Sequence, residues 1–407
     1  MASSVTPEGY KDTILGVVPQ EWNIRCLGDL LSRCTNGLTY NVSISNGIPV
    51  TRIETISTGE INYAKVGHIQ NSVGYEDFRM QKGDILYSHI NSLSQIGKVA
   101  YYNGKKEIYH GMNLLLLRAN QCLNKQYLYY MLLTTYMRHM AQVIAKPAVN
   151  QASISTRDLK KIKIPVPPLP EQQKIAEVLS TWDKAIEKQS QLIEKLELRK
   201  KGLMQQLLTG KKRLPGFSSE WKTMKLGELF DERNETNIPA LPLLSITANK
   251  GIILQTESEK KNTSNDDKSK YKRICPNDIG YNTMRMWQGR CALSKLEGIV
   301  SPAYTIIIPH NNINPYYMEM LFKQPFMVYR FWTHSQGLVN DTLNCKFPSF
   351  SQVKVIIPDL KEQNAIIEIL LSCDTEITLA NQRFESLRQQ KKGLMQVLLT
   401  GKNRVIR

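Results

Sequence analysis

Two stretches of the chain place residues of one seam at alternating spacings of four and three. This is the a/d pattern of a coiled coil, and each stretch is long enough for a helix of about 55 to 60 Å. The first seam is formed by Ile175, Leu179, Trp182, Ile186, Gln189, Ile193, Leu196, Lys200, Leu203 and Leu207. The second is formed by Ile366, Leu370, Cys373, Ile377, Ala380, Phe384, Leu387, Lys391, Leu394 and Leu398. We expect the two helices to pack antiparallel, because a globular segment returns the chain between them.

The two seams belong to copies of one sequence. Residues 171–212 and 362–403 align without a gap at a shift of 191 residues, and 21 of 42 positions are identical, including the blocks KKGLMQ and LLTGK. The pair Glu21-Trp22 also returns, as Glu220-Trp221. A repeat of this length with the order of elements kept indicates a tandem duplication. Polar seam positions such as Gln189, Lys200 and Lys391 are typical of groups that fix register or serve a partner.

The segments before each helix combine both kinds of secondary structure. Short apolar or alternating runs predict strands, and longer periodic runs predict helices. The predicted strands are Ile85–His89, Asn113–Arg118, Tyr304–Ile308 and Val353–Ile357, and the predicted helices are Tyr127–Ile144 and Pro315–Thr333. The expected fold class is therefore α+β, with two α+β globules and two long helices. The polar segment Thr256–Lys272 is expected to be a surface loop.

Length and composition fit a folded protein of two or more domains. The chain has 407 residues, of which 42% are hydrophobic and 22% charged. No apolar run predicts a secretory signal or a membrane span, so no insertion into a membrane is expected. The seven cysteines are scattered and form no C-x-x-C pair, which argues against structural zinc and favours a reducing, cytoplasmic location.

The charge balance predicts a polyanionic partner. The formal net charge is +17, and the excess is spread over the helical segments as well as the globules. Nucleic acid and an acidic membrane surface both satisfy this charge, and composition does not choose between them.

Catalytic motifs were sought and are incomplete. Asn314-Pro315-Tyr316-Tyr317 resembles the tetrapeptide of amino-methyltransferases, but its second proline is missing and no glycine-rich turn precedes it. The Glu-x-Lys of a metal-dependent nuclease occurs as Glu220-Trp221-Lys222, whose counterpart in the first half is Glu21-Trp22-Asn23. No phosphate-binding glycine-lysine loop is present. These observations predict a protein that is not an enzyme and has no metal site.

The repeated helix motif carries a family resemblance. A variable globule, a proline-rich lead into Glu-Gln-x-x-Ile, and a long helix ending in KKGLMQ-x-LLTGK occur twice in order. This arrangement resembles the specificity subunit of type I restriction-modification enzymes over essentially the whole chain. The resemblance implies two target recognition domains related by a pseudo-twofold axis, each reading one half of a bipartite, asymmetric DNA sequence. The expected boundaries are 1–164 and 213–355 for these domains and 165–212 and 356–407 for the spacer helices.

The resemblance also implies the partners. Such subunits bind double-stranded DNA, dock two methyltransferase subunits and join restriction subunits. S-adenosylmethionine, ATP and Mg²⁺ are expected on those partners, and no cofactor is expected on this chain. Its contribution would be the DNA address alone.

The residue types that read bases suggest where the address lies. Arginine and lysine recognise guanine, and asparagine and glutamine recognise adenine, from loops that enter the major groove. In the first domain the candidates are Ser88, His89, Asn91, Ser92, Gln95, Asn150 and Gln151, with Lys98 and Lys146 as phosphate contacts. In the second they are Asn282, Thr283, Arg285, Trp287, Gln288, Arg290, Asn340 and Thr342, with Lys270 to Arg273 as phosphate contacts.

Two alternatives remain open from the residues. The chain would be the recognition subunit of a related type II enzyme if one partner chain carried both methylation and cleavage. It would be a structural coiled-coil scaffold if it joined two proteins and bound them without any sequence-dependent affinity for DNA. Neutral drift after duplication would also leave two divergent globules. The divergence occupies equivalent places in both halves, which favours two readers of different sequences.

Overall fold

The chain folds as two compact units in a computed structural model. One unit is Met1–Ser190 with Arg383–Arg407, and the other is Gln191–Gln382. The structure describes residues 6–40, 46–70, 74–149, 151–247, 250–258, 264–337 and 342–405. We call the first compact part unit 1 and the second unit 2.

Unit 1 is built mainly from short antiparallel strands. Its elements begin with β1 (Tyr10–Thr13), β2 (Gly16–Pro19), β3 (Asn23–Cys26), β4 (Leu31–Asn36), β5 (Ile48–Val50), β6 (Gly67–Ile69), β7 (Ile85–Tyr87), β8 (Ile90–Asn91), β9 (Val99–Tyr101) and β10 (Leu115–Ala119). They continue with α1 (Lys125–Leu132), α2 (Thr135–Ile144), β11 (Lys146–Ala148), β12 (Gln151–Ser153), α3 (Thr156–Lys160), β13 (Lys163–Val166) and the start of α4 (Leu169–Leu207).

A four-stranded antiparallel sheet forms the centre of unit 1. Its strand order is β4-β10-β7-β9, and Leu115–Leu117 of β10 pair with Ile85–Tyr87 of β7. All three residues of β7 are buried, as are Leu115, Leu116 and Leu117, because both faces of this sheet are covered. An apolar run without alternation is typical of such a strand.

Unit 2 repeats the same plan. Its elements, after the rest of α4, are β14 (Lys222–Lys225), β15 (Phe230–Glu232), β16 (Leu244–Ile246), β17 (Ile252–Leu254), β18 (Lys272–Ile274), β19 (Ile279–Asn282), β20 (Cys291–Leu293), β21 (Gly298–Val300), β22 (Tyr304–Pro309), α5 (Pro315–Phe322), α6 (Pro325–His334), α7 (Phe347–Ser351), β23 (Lys354–Ile357) and α8 (Leu360–Leu398). The central sheet has the order β15-β22-β19-β20. The duplication seen in the sequence is therefore a duplication of the fold.

The strand that leads into each long helix is anchored in the same way. In unit 1, β13 pairs with β3 in an antiparallel ladder, and in unit 2, β23 pairs with β14. The tryptophan of the repeated Glu-Trp pair lies just before β3 and β14. Each unit is thus closed by a strand from its beginning and a strand from its end.

A buried glutamate at the start of α4 ties three parts of unit 1 together. Trp22 donates a hydrogen bond from Nε1 to Glu171 Oε2 at 3.0 Å. Arg404, which follows the end of α8, donates from Nε and Nη2 to the two carboxylate oxygens at 3.1 and 2.8 Å. Glu171 is only 1% exposed, so water does not solvate its charge. The bidentate pair with Arg404 compensates that charge instead.

We call this cluster of a buried glutamate, a tryptophan and an arginine the glutamate clamp. Unit 2 contains an equivalent glutamate clamp, in which α8 supplies the glutamate and the arginine follows α4. Glu362 at the start of α8 is 1% exposed and accepts from Trp221 Nε1 at 3.2 Å. Arg213, which follows the end of α4, donates from Nε at 2.6 Å and from Nη2 at 2.7 Å. Arg213 and Arg404 are separated by 191 residues, the shift of the repeat. The segment that follows each helix therefore supplies the arginine that pairs with the glutamate at the beginning of the other helix.

The glutamine next to each glutamate is equally buried and fixes the helix to the globule. Gln172 accepts from the backbone N of Asn124 at 2.8 Å and donates to Pro167 O at 2.9 Å. Gln363 makes the same contacts, with Asn314 N at 2.8 Å and Pro358 O at 2.9 Å. The repeated Glu-Gln is thus the anchor of each helix, with one residue for charge and one for backbone groups.

The seam residues of both helices are buried or half-buried. Ile175 and Leu179 share a core with Leu398 in unit 1, while Leu207 shares a core with Ile366 and Leu370 in unit 2. Each unit therefore packs the start of one helix against the end of the other, which is an antiparallel arrangement. Also buried are Cys373 and Leu387, and half-buried are Trp182, Ile186, Ile193, Leu196, Leu203, Ile377, Phe384 and Leu394.

The lysines on the seam are ion-paired across the helices. Lys391 pairs with Asp183 in unit 1, and Lys200 pairs with Asp374 in unit 2. In unit 1 the pair is capped by Tyr130, whose hydroxyl donates to Asp183 at 2.7 Å and whose ring lies 5.1 Å from Lys391 Nζ. These pairs give the polar seam positions a register-setting partner.

The turn before β7 in unit 1 and the turn before β19 in unit 2 each carry a buried ion pair. Asp84 receives Arg118 at 2.7 and 2.8 Å, and Asp278 receives Arg233 at 2.7 and 3.2 Å. The residue before each aspartate has a left-handed backbone, with φ of 100° at Gly83 and 73° at Asn277, which explains why glycine and asparagine occur there. The shared Gly/Asn-Asp-Ile pattern is therefore structural.

The structure corrects two of the predicted elements. Tyr127–Ile144 is not one helix but two, α1 and α2, because Thr134 caps a new helix by accepting from Met137 N at 3.3 Å. Pro315–Thr333 is likewise divided into α5 and α6, with Pro325 in the first turn of the second, where proline loses no hydrogen bond. The predicted surface loop Thr256–Lys272 lies partly outside the described residues.

The described helices are all too short or too polar to cross a membrane.

Removal of Arg404 from the glutamate clamp should lower the stability of unit 1. Arg404→Ala leaves the buried carboxylate of Glu171 with Trp22 as its remaining side-chain donor, which we expect to lower the free energy of unfolding by about 1 to 3 kcal/mol. Urea denaturation measures this change. The control is Lys174→Ala, which removes an exposed pair with Glu177 in the same unit and should cost less than about 0.5 kcal/mol. Equal losses in the two variants would contradict the role of the clamp.

Candidate nucleic-acid interface

In unit 1 the predicted reading loop joins β7 to β9 and contains β8. The loop is closed at its base by hydrogen bonds from Ser88 N to Lys98 O and from Gly97 N to Ser88 O, both 2.8 Å. Within it, Asn91 Nδ2 donates to Ser88 Oγ at 3.1 Å, and Asn91 Oδ1 accepts from Ser92 N at 2.9 Å. These bonds give the loop a defined shape while Ser92 stays exposed.

A second predicted segment lies directly beside this loop. Strands β11 and β12 form a hairpin, and β12 pairs with β8 so that Ala152 faces Asn91. The exposed side chains of Lys146 and Gln151 are thereby brought to the loop from more than fifty residues away in sequence. The fold therefore joins both candidate segments of the first domain into one sheet edge. Asn150 lies outside the described residues.

Three candidates of unit 1 do not present free side chains. Ser88 and His89 are 1% and 5% exposed, so both support the loop from below and do not face solvent. Burial lowers the pKa of His89 to about 4, and the ring is therefore neutral near pH 7. Lys98 is half-buried and donates to Ser57 O at 2.7 Å. The remaining surface consists of Asn91, Ser92, Gln95, Lys146 and Gln151.

In unit 2 the equivalent loop joins β19 to β20. A short 3-10 turn, Met286–Gln288, forms its middle, and Met286 is fully buried beneath it. Gly289 follows with a left-handed φ of 71°, and a side chain there would lie 3.0 Å from Val328 of α6. The loop is therefore seated tightly on α6, and this close approach requires glycine.

The polar side chains of this loop are arranged around that turn. Asn282 Oδ1 accepts from Met284 N at 3.0 Å, and Trp287 Nε1 donates to Met284 O at 2.9 Å. Arg285, Gln288 and Arg290 are exposed. Asn282 and Trp287 are half-buried and shape the loop, whereas the two arginines and the glutamine project from it.

The loop between α6 and α7 completes the surface of unit 2. Cys345 N donates to Thr283 O at 2.8 Å, as Ile154 N donates to His89 O at 2.8 Å in unit 1. Thr283 itself donates from Oγ1 to Ala303 O at 3.1 Å. Thr342 is exposed, and Asn340 lies outside the described residues.

The basic run Lys270 to Arg273 is mostly neutralised. Arg273 pairs with Glu235 and Glu297 at 2.7 and 2.6 Å, and Lys272 pairs with Glu232 at 3.4 Å. Lys270 is the exposed member of the run. These ion pairs make the second half of the run part of the fold, since a partner's phosphate would have to displace a carboxylate.

One basic residue beside the candidate loop of unit 1 was not among the residues predicted from the sequence. Arg138 on α2 is exposed and reaches the loop between β7 and β9, with Nη2 donating to Ser94 O at 3.2 Å. Its helical period gave no signal, because only the fold brings α2 over the loop. In the described part of the chain, no group of three or more His, Cys, Asp or Glu residues is placed to hold a metal ion.

A family model matches this chain twice. The model, described as the type I restriction modification DNA specificity domain, covers residues 19–198 and 218–389. A putative type I restriction enzyme MjaX specificity subunit from Methanocaldococcus jannaschii is 34% identical, with 98% of this chain and 97% of the relative aligned. The MjaVIII specificity subunit of the same organism is 24% identical over 98% of this chain and 96% of the relative.

Solved structures share the fold. The HsdS subunit from Thermoanaerobacter tengcongensis superposes with a TM-score of 0.52 at 14% identity, covering 95% of this chain and 98% of that one. The S subunit of a type I system from M. genitalium gives a TM-score of 0.54 at 16% identity, with 93% and 96% covered. At such identities the likeness supports the shared architecture alone.

Two similar α+β domains with two long helices define a DNA-specificity subunit. The chain belongs to the type I restriction modification DNA specificity family. It is a non-catalytic subunit with two target recognition domains. The family resemblance and the α+β architecture inferred from the sequence are thereby confirmed.

Acid should destabilise unit 1 through its two buried histidines. Burial lowers the pKa of His89 and of His110 to about 4, below the ~6.5 of an unfolded histidine. The unfolded chain therefore binds more protons between about pH 6.5 and pH 4, and stability falls as the pH drops through that window. We expect His89→Gln and His110→Gln to lose less stability on acidification, by up to about 1.4 kcal/mol per pH unit for each site.

Urea denaturation at several pH values in this window measures the effect. The exposed His139 supplies the control, because His139→Gln should keep the wild-type pH dependence. If both buried-site variants also kept it, the neutral state of the buried rings would not contribute.

Proposed function

We propose that this chain reads a bipartite, asymmetric sequence in double-stranded DNA, one half-site with each recognition domain. It also docks two methyltransferase subunits and the restriction subunits that join them. S-adenosylmethionine, ATP and Mg²⁺ are bound by those partner subunits and not by this chain. The two helices, each 39 residues long and so about 58 Å, set the unread gap between the half-sites.

The observation that supports this proposal is the contrast between framework and loops. Both units keep the same four-strand order and the same glutamate clamp. The loops that follow β7 and β19, residues 88–98 and 282–290, occupy equivalent positions in the two units but carry different side chains. One scaffold carrying two different reading surfaces is what an asymmetric target requires, since base contacts specify and phosphate contacts position.

The net charge agrees with a duplex partner. At +17 the chain has many lysines and arginines for phosphate, and we expect its DNA affinity to fall steeply with salt.

A domain exchange tests the independence of the two readers. Residues 215–350 are replaced by the equivalent region of a relative, and the variant is co-expressed with its methyltransferase partner. Genome-wide mapping of methylated adenines should give one gapped motif in which a single half has changed. A change in both halves would contradict independent reading. The absence of any motif from a stable wild-type complex would instead favour a scaffold that never reads DNA.

A further inference from the structure

The two reading loops differ in the charge that they expose. In unit 1, residues 88–98 contain no arginine, and the lysine of this loop, Lys98, donates to Ser57 O. The exposed polar side chains there are the hydroxyls of Ser92 and Ser94. In unit 2, Arg285 and Arg290 are both exposed on the corresponding loop. One loop therefore offers neutral groups, and the other offers two guanidinium groups.

The arginines of the second loop are not engaged in ion pairs within the described residues. Arg213, Arg233 and Arg273 of the same unit all lie within 4 Å of a carboxylate, but no described carboxylate comes within that distance of Arg285 or Arg290. Arg285 Nη1 lies 3.5 Å from Gln288 Oε1, a contact within the same loop. Their donors are therefore available to a partner.

The backbone that carries the two arginines is well supported. Arg290 N donates to Arg285 O at 3.4 Å, and Asn282 N donates to Arg290 O at 3.3 Å, so both side chains start from one closed turn. Met286 anchors the turn in the core. A planar guanidinium on a fixed backbone loses less conformational freedom on binding than one on a mobile segment.

We propose that the half-site read by the second domain contains guanine, recognised by Arg285 and Arg290 in the major groove. A guanidinium forms two parallel hydrogen bonds with O6 and N7 of guanine, which no other base pair presents in that geometry. The loop of the first domain contains no arginine of its own, and the cations beside it are Arg138 on α2 and Lys146 on β11. This inference rests on the proposed function and adds the base identity of one half-site.

The test is the methylated motif of cells that co-express the full chain with its methyltransferase partner. The motif is mapped for the wild type and for Arg285→Gln and Arg290→Gln. We expect guanine in the half-site assigned to residues 215–350, and a loss of about tenfold or more in discrimination at one guanine position in each variant. The other half-site should stay unchanged.

Matched variants separate base reading from charge. Arg285→Lys and Arg290→Lys keep the charge and lose the planar fork, so we expect near wild-type overall methylation with weakened guanine preference. Lys295→Gln removes one exposed charge of unit 2 outside the loop and should leave the motif intact. Each variant must also co-purify with the methyltransferase and keep the wild-type melting temperature, which excludes misfolding.

The outcomes distinguish this inference from the function on which it rests. A gapped motif that lacks guanine in the second domain's half overturns the assignment of guanine. So does a uniform drop in methylation with the motif unchanged, because that is the behaviour of phosphate contacts. A stable wild-type complex without any gapped motif contradicts the proposed function itself.

Discussion

The buried carboxylate at the start of each long helix is the interaction on which the rest of the structure depends. Glu171 and Glu362 are almost inaccessible to solvent, and an unpaired charge at such a site would be strongly destabilising. Each is compensated by a tryptophan from the beginning of its unit and an arginine from beyond the end of the opposite helix. The demand for charge compensation therefore joins the two ends of every unit.

The residues that meet this requirement are among those that recur in both halves of the sequence. The Glu-Trp pair, the Glu-Gln pair and the arginine after LLTGK are far apart in the chain and serve one cluster. A change in any one leaves a buried polar group without its partner, which costs more than the net contribution of an ordinary hydrogen bond. The reading loops carry no such burden, because their exposed side chains are already hydrated.

The helical part of the fold could be predicted from the sequence because its signals are local and long. Ten seam positions in each repeat fix the period, and Gly210 and Gly401 near the end of each repeat mark where the helix stops. The partners of Glu171 could not be found this way, because Arg404 lies 233 residues further along and just beyond the aligned block. Only the folded chain brings them together.

The sequence locates the loops that carry the candidate residues, but it does not show which of their side chains are exposed. The loops after the third strand and the segments near Gln151 and Thr342 occupy matching places in the two units, since the turn at Asp84 and Asp278 located the strand in both. The burial of Ser88 and His89 was not predictable, because β7 ends in side chains that look as polar as those of the loop. Local polarity does not reveal which way a residue faces where a strand gives way to a loop.

The contrast between Arg273 and Arg285 shows what distinguishes a structural cation from an available one. Both lie in unit 2 near β-strand ends, and the sequence gives no reason to separate them. Arg273 lies between Glu235 and Glu297, so its charge is used in holding β18 to its neighbours. Arg285 contacts Gln288 and lies within 4 Å of no carboxylate among the described residues, so its charge is left for an external acceptor. The proposed recognition therefore relies on charges that the described part of the fold does not neutralise.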